Sequence, residues 1–164
     1  MENEVIATVS ASAGRRLLGI VSLTLLGFLL IYLCFAQPPA LLGQVFLLGI
    51  GAGSLWVAYK MHHATALVIE MTDSEIRDSS GALIARLDDV ESIDRGFFAF
   101  KPSNGFLLRT KQPQPRIWRP GLWWRVGRQI GVGGMTPGHQ TKFMSEIIAA
   151  TVAQRDLPDL PDDR

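Results

Sequence analysis

Hydrophobic positions follow three patterns along this chain. The first is continuous: residues 17–59 contain no Asp, Glu, Lys or Arg. A run of that length holds two membrane-crossing helices of about 20 residues each. Pro38 and Pro39 divide it near the middle, and proline is poorly tolerated inside a helix. The pattern predicts one helix over about 17–36, a short turn at Gln37, Pro38 and Pro39, and a second helix over about 40–60. Two helices joined so tightly form an antiparallel hairpin.

The second pattern is short and alternating. Residues 66–71, 75–78 and 82–86 predict strands, separated by turn chemistry at Thr72, Asp73 and Ser74 and at Ser79, Ser80 and Gly81. In residues 87–93, Leu87, Val90 and Ile93 recur three apart with acids between, which predicts a helical turn or the lead into a strand. Residues 97–100 and 105–110 predict strands around a turn at 101–105, and residues 116–118 and 128–132 the last ones. Gln112, Pro113, Gln114 and Pro115 predict a loop between them. The third pattern is helical. Phe143, Ile147, Ile148 and Val152 share a face, and Thr136 before Pro137 has the form of an N-cap and first helical residue. Prolines and acids end the pattern after residue 156.

The predicted organisation is an N-terminal segment (1–16), a transmembrane hairpin (17–61), a small mostly-β domain (64–155) and an acidic tail (156–164). The β domain has about seven antiparallel strands closed by one C-terminal helix. Two details of the hairpin bear on its use. Gly49 and Gly53 are spaced to let helix backbones approach in lipid. The first use of that pair is packing within the hairpin; a homo-oligomer through the same face is the second. The first helix also has the outline of a secretory signal, with Arg15 and Arg16 before it and Ala36 at its end. Its apolar run is long for a signal core, which favours a retained span.

Charge changes the picture more than composition does. The formal net charge of the 164 residues is only +1, yet residues 62–94 carry eight acids and two bases, and residues 95–145 carry nine bases and no acid. Such a division predicts two faces with different neighbours. Basic residues flank the hairpin at Arg15, Arg16 and Lys60, and the turn has none. By the positive-inside rule both termini lie in the cytoplasm. Cys34 is the only cysteine, so no intrachain disulfide forms.

Residues 67–76 (LVIEMTDSEI), 81–84 (GALI) and 87–93 (LDDVESI) are similar to the strand, Thr-Asp turn, strand and Gly hairpin of bacterial PH-like domains. Those domains follow paired transmembrane helices in small inner-membrane proteins. The resemblance covers most of residues 64–155 and departs from the pattern after Thr110. It implies a PH-like barrel in the bacterial inner membrane, facing the cytoplasm, with no invariant catalytic motif and no cofactor.

The segment that departs is the most distinctive in the chain. Residues 116–134, RIWRPGLWWRVGRQIGVGG, hold three tryptophans, four arginines and no acid. Arg116, Trp118, Arg119, Trp123, Trp124, Arg125 and Arg128 are the candidate contact residues for a bilayer or a partner protein. Tryptophan and arginine suit the headgroup zone, one through its amphipathic ring and the other by snorkelling. Both are also enriched at protein hot spots. A third reading buries the tryptophans in the core, where large aromatics pack. Nucleic acid fits less well, because the linker ties the domain to the bilayer and the whole chain is near neutral. No catalytic constellation emerges. Residues 131–134 lack the Lys-Ser or Lys-Thr of a phosphate loop, and His62 and His63 have no metal-ligand spacing around them. The expected function is a non-enzymatic interaction module, accessory to a membrane protein complex; the alternative is anionic-lipid binding through residues 116–128.

Overall fold

The computed structural model describes residues 4–96 and 102–155. The strand expected at 97–100 and the tail at 156–164 lie outside them. The chain opens with a strand, β1 (Ala7–Ser10), that the hydrophobic pattern did not announce. Two long helices follow, α1 (Ala13–Ala36) and α2 (Leu41–Ala64), joined by residues 37–40. Both are long and apolar enough to cross a membrane, and only 11% of the most apolar window of each is buried, unlike core helices of a soluble fold. Leu18, Phe28, Leu42, Phe46 and many others stand outward, an apolar belt too broad for water.

The close approach of α1 and α2 runs through Gly27 and Gly51, and this corrects the expectation for Gly49 and Gly53. A Cβ on Gly27 would sit 2.9 Å from the carbonyl oxygen of Gly51, and one on Gly51 would sit 3.1 Å from that of Gly27. Cβ positions on Gly49 and Gly53 meet nothing within 4 Å. Helical spacing explains the switch: Gly51, Ser54, Ala58 and Met61 form the buried stripe of α2, and Gly49 and Gly53 lie off it.

After the hairpin come β2 (Val68–Met71), β3 (Glu75–Asp78), β4 (Leu83–Arg86), a 3-10 turn (Leu87–Asp89), β5 (Val90–Asp94), β6 (Phe106–Arg119) and β7 (Trp123–Val132). They form two antiparallel sheets, ordered β1-β2-β3-β4 and β5-β6-β7, and no ladder between described strands closes them into a barrel. β1 pairs with β2 across the hairpin, with Ala7 opposite Met71 and Ser10 opposite Val68. The segments before α1 and after α2 therefore belong to one sheet, and residues 4–10 are part of the domain rather than a separate segment.

The expected loop at 112–115 is also corrected. β6 runs through Pro113 and Pro115, with its pairing to β7 shifting between Arg109, Gln114 and Ile117. Proline is tolerated there because the shifts remove the ladder bonds that its missing N–H would have made. The long ribbon coils until Gly133 donates to the carbonyl of Leu122 at 2.8 Å. Gly133 and Gly134 hold φ of +133° and +122°, with Gly105 and Gly121 backbone packed against them, so only glycine fits this exit.

The last element is α3 (Gly138–Arg155). The Thr136 hydroxyl is buried without a hydrogen bond, so it does not cap the helix as expected. The inward face is Met144, Ile148 and Val152, and Phe143 stays 55% exposed. One core joins the sheets and α3: Val9, Ile69, Ile76 and Ile84 from the first sheet, Phe106, Leu108, Ile130 and Val132 from the second, and Met144 and Ile148 from the helix.

Candidate functional site: the collar between hairpin and domain

The domain is bolted to the open end of the hairpin. The N–H of Ser12 donates to the Met135 carbonyl at 2.8 Å. Arg15 Nη1 donates to the Thr136 carbonyl at 3.3 Å. Arg16 Nη2 donates to the His62 carbonyl at 3.2 Å, tying the start of α1 to the end of α2. Met135 reaches Gly19, and the Gly121 turn packs on Thr65, Met61 and Met135. The β6–β7 connection, in the middle of the Trp/Arg segment, thus lies at the helix ends. Sequence position gave no sign of this, because the contact joins Gly121 to Met61 and Thr65, which are far apart along the chain.

The seven candidate residues divide by depth. Trp123 and Arg125 are corrected outright: they are 1% and 5% exposed. The indole N–H of Trp123 donates to Asp78 Oδ2 at 3.3 Å. Asp78 is itself fully buried, and its other oxygen accepts from the N–H groups of Ser80 at 3.0 Å and Ala82 at 3.2 Å and from the Ser80 hydroxyl. Arg125 donates only to neutral oxygens: the carbonyls of Pro115 at 2.9 Å, Leu83 at 2.9 Å and Ile84 at 3.1 Å, and Gln114 Oε1 at 2.7 Å. Its guanidinium therefore joins β7 to the open edge of β4, where no ladder connects the two sheets. Burial, which strips water from the charge, lowers its pKa.

Trp124 is half-buried and lies on Gly131, where a side chain would collide with the indole. Arg128 is spent on an ion pair with Glu91 at 2.5 Å and on the Thr110 carbonyl at 2.8 Å. Arg116 is exposed on β6.

Trp118 and Arg119 remain at the collar. Trp118 is 46% exposed and packs against Trp56 of α2, ring centroids 5.9 Å apart and tilted by 35°. Lys60 Nζ lies over the Trp56 ring at 5.7 Å. Arg119 Nε sits 3.6 Å from Asp78 Oδ2. Between α2 and the connection runs an open groove of about 230 Å³, lined by Tyr59, Lys60, His63, Trp118, Arg119 and Pro120, together with Ala64. Tyr59 meets His63 edge-on at 4.5 Å. Four of these seven lining residues come from α2. Sequence reading found the Trp/Arg half and missed Trp56, Tyr59 and Lys60 as its partners, although all lie within two turns of one helix end.

The arrangement offers cations, ring edges and N–H donors beside an apolar belt, which is a binding chemistry. Compared with protein-family models, curated proteins and solved structures, the chain matches none of them.

Proposed function

We propose that this chain is a non-enzymatic membrane protein that holds a small interaction domain in fixed orientation at the cytoplasmic leaflet, as an accessory or assembly component of a membrane complex. The observation that carries the reading is the pairing of β1 with β2 across the hairpin. A domain whose edge strand precedes the first span cannot swing free of the helices. The bolts at Ser12, Arg15 and Arg16 tighten the same attachment. A domain held at a fixed height and angle to the helices suits contact with neighbouring membrane subunits.

The cytoplasmic assignment is supported by Arg15, Arg16 and Lys60 at the domain end of the hairpin, against no base in the turn. The resemblance to bacterial PH-like domains supports the inner membrane and an interaction role. Two antiparallel sheets and a closing helix agree with that family in broad order, and a PH-like barrel remains part of the proposal. The exposed Phe143 on α3 and Val126 on β7 are candidate partner contacts away from the collar.

The test is a gentle detergent pull-down of the tagged full-length protein with mass spectrometry of what accompanies it. Stoichiometric membrane subunits are expected, and Phe143→Glu or Val126→Glu should release them from a chain that still folds. A preparation free of any stoichiometric protein under several mild detergents would sink the accessory role.

A further inference from the structure

We propose that the collar groove binds the phosphodiester of one anionic phospholipid headgroup. The proposal rests on the membrane-anchored reading in one respect: α2 crosses the bilayer, which puts Lys60, in its last turns, at headgroup depth.

Charge is the first argument. Lys60 has no carboxylate partner among the described residues; its neighbour is the Trp56 ring. Arg119 faces the buried Asp78 at 3.6 Å, so its charge is largely offset. No acidic residue lines the groove. One uncompensated cation matches a phosphodiester, which carries a single negative charge. It is too little for a multiply phosphorylated headgroup.

The second argument concerns the helix end. The C-terminus of a helix presents free carbonyls that repel an anion. Here those carbonyls are already bonded. Met61 accepts from the N–H of Thr65 at 2.9 Å and its hydroxyl at 2.6 Å. His62 accepts from Arg16 at 3.2 Å. His63 and Ala64 accept from the N–H groups of Ala66 at 3.3 Å and Leu67 at 3.2 Å. The Lys60 ammonium is thus left for a ligand, while Arg119 Nε is buried and turned toward Asp78.

The third argument is the wall. Trp118 and Trp56 form a tilted pair, 46% and 53% exposed, on the rim facing the apolar belt. Their rings suit the ester and glycerol level just below a phosphate. The other arginines of the segment stand outside the groove: Arg125 is buried, Arg128 is paired with Glu91, and Arg116, though exposed, is not part of the lining. This narrows lipid contact from the whole of residues 116–128 to Trp118 and Arg119, and adds Tyr59, Lys60 and His63 from α2.

The experiment uses the full-length chain in phosphatidylcholine nanodiscs with and without phosphatidylglycerol, and native mass spectrometry of the lipid retained after gentle release. One phosphatidylglycerol per chain is expected. Lys60→Gln should lower its retention about five-fold, the weight of one cation at an anionic surface, and Arg116→Gln should leave it unchanged. Lys60 is exposed at a helix end, so K60Q is not expected to disturb folding. Equal retention of phosphatidylcholine, or undiminished phosphatidylglycerol in K60Q, would overturn the site. Inorganic phosphate is the second probe, added to delipidated protein in neutral detergent. Phosphorus line broadening that K60Q abolishes, without phosphatidylglycerol retention, would make the ligand a free phosphate and overturn the lipid assignment. Phosphatidylcholine brominated high in its acyl chains separates the two levels of failure. It should quench tryptophan emission at the collar. Quenching without phosphatidylglycerol retention defeats the headgroup site alone, and absence of quenching defeats the membrane anchor as well.

Discussion

At the scale of residues, the Trp/Arg segment shows how neighbours in sequence take opposite roles. In a strand, alternate residues face opposite sides. Trp123 and Arg125 face inward together, so β7 brings a guanidinium into the interior with the indole. The arginine is stable there because five N–H donors in a rigid fork reach several carbonyls at once. Arg125→Met should therefore lower stability by at least about 2 kcal/mol, since the carbonyls of Leu83, Ile84 and Pro115 lose their donor. Arg125→Lys should rescue little, because one ammonium cannot span those three positions. Trp123→Ala should cost about 3–5 kcal/mol, from the cavity and from the loss of a donor to Asp78. Trp118→Ala, at a half-exposed site, should cost well under half of that. Thermal unfolding of the four variants in one detergent gives the ranking; a Trp118 loss equal to that of Trp123 would mean the collar is part of the core.

Among elements, what the sequence revealed depended on how local the cause was. The hairpin was legible because a charge-free run and two prolines are local signals. Most strands after it were legible from turn residues. β1 was not: four residues, ATVS, acquire their meaning from Met71 and Val68 across the whole hairpin. Nor was the passage of β6 through Pro113 and Pro115, since register shifts between strands leave no mark in composition. The collar was half legible, as the Trp/Arg run was conspicuous and its partners on α2 looked like ordinary span-end residues. The glycines make the same point. Spacing singled out Gly49 and Gly53, but helix rotation, fixed by packing, put Gly27 and Gly51 at the contact. Gly27→Val or Gly51→Val should destabilise the hairpin by about 1–3 kcal/mol through overpacking. Gly49→Val and Gly53→Val should leave unfolding temperature nearly unchanged. A larger loss at Gly49 and Gly53 would assign them a contact outside the monomer, as in a homo-oligomer.

For the whole molecule, β1 makes the domain depend on residues from before the first span. Val9 is fully buried, and burying such a side chain contributes about 1.5–3 kcal/mol. A fragment of residues 64–155 alone should expose the edge of β2 and aggregate. Joining residues 4–12 to its start through a flexible linker should restore a soluble, cooperatively unfolding domain. The same pairing fixes a topological rule. Because β1 and β2 share a ladder, the segments before α1 and after α2 lie on one side, so a hairpin that enters the bilayer crosses it an even number of times. Charge then chooses which side. The single native cysteine makes this accessible to labelling. Cys34 is buried in α1 near the turn, and Cys34→Ser gives a clean background. In intact bacterial cells, a membrane-impermeant maleimide should label Gln37→Cys in the turn and spare the exposed domain position Ser92→Cys. Permeabilised cells should label both. The reverse pattern would put the domain outside the cytoplasm, turning the collar toward the opposite leaflet. Labelling of both positions in intact cells would mean that the hairpin does not cross at all.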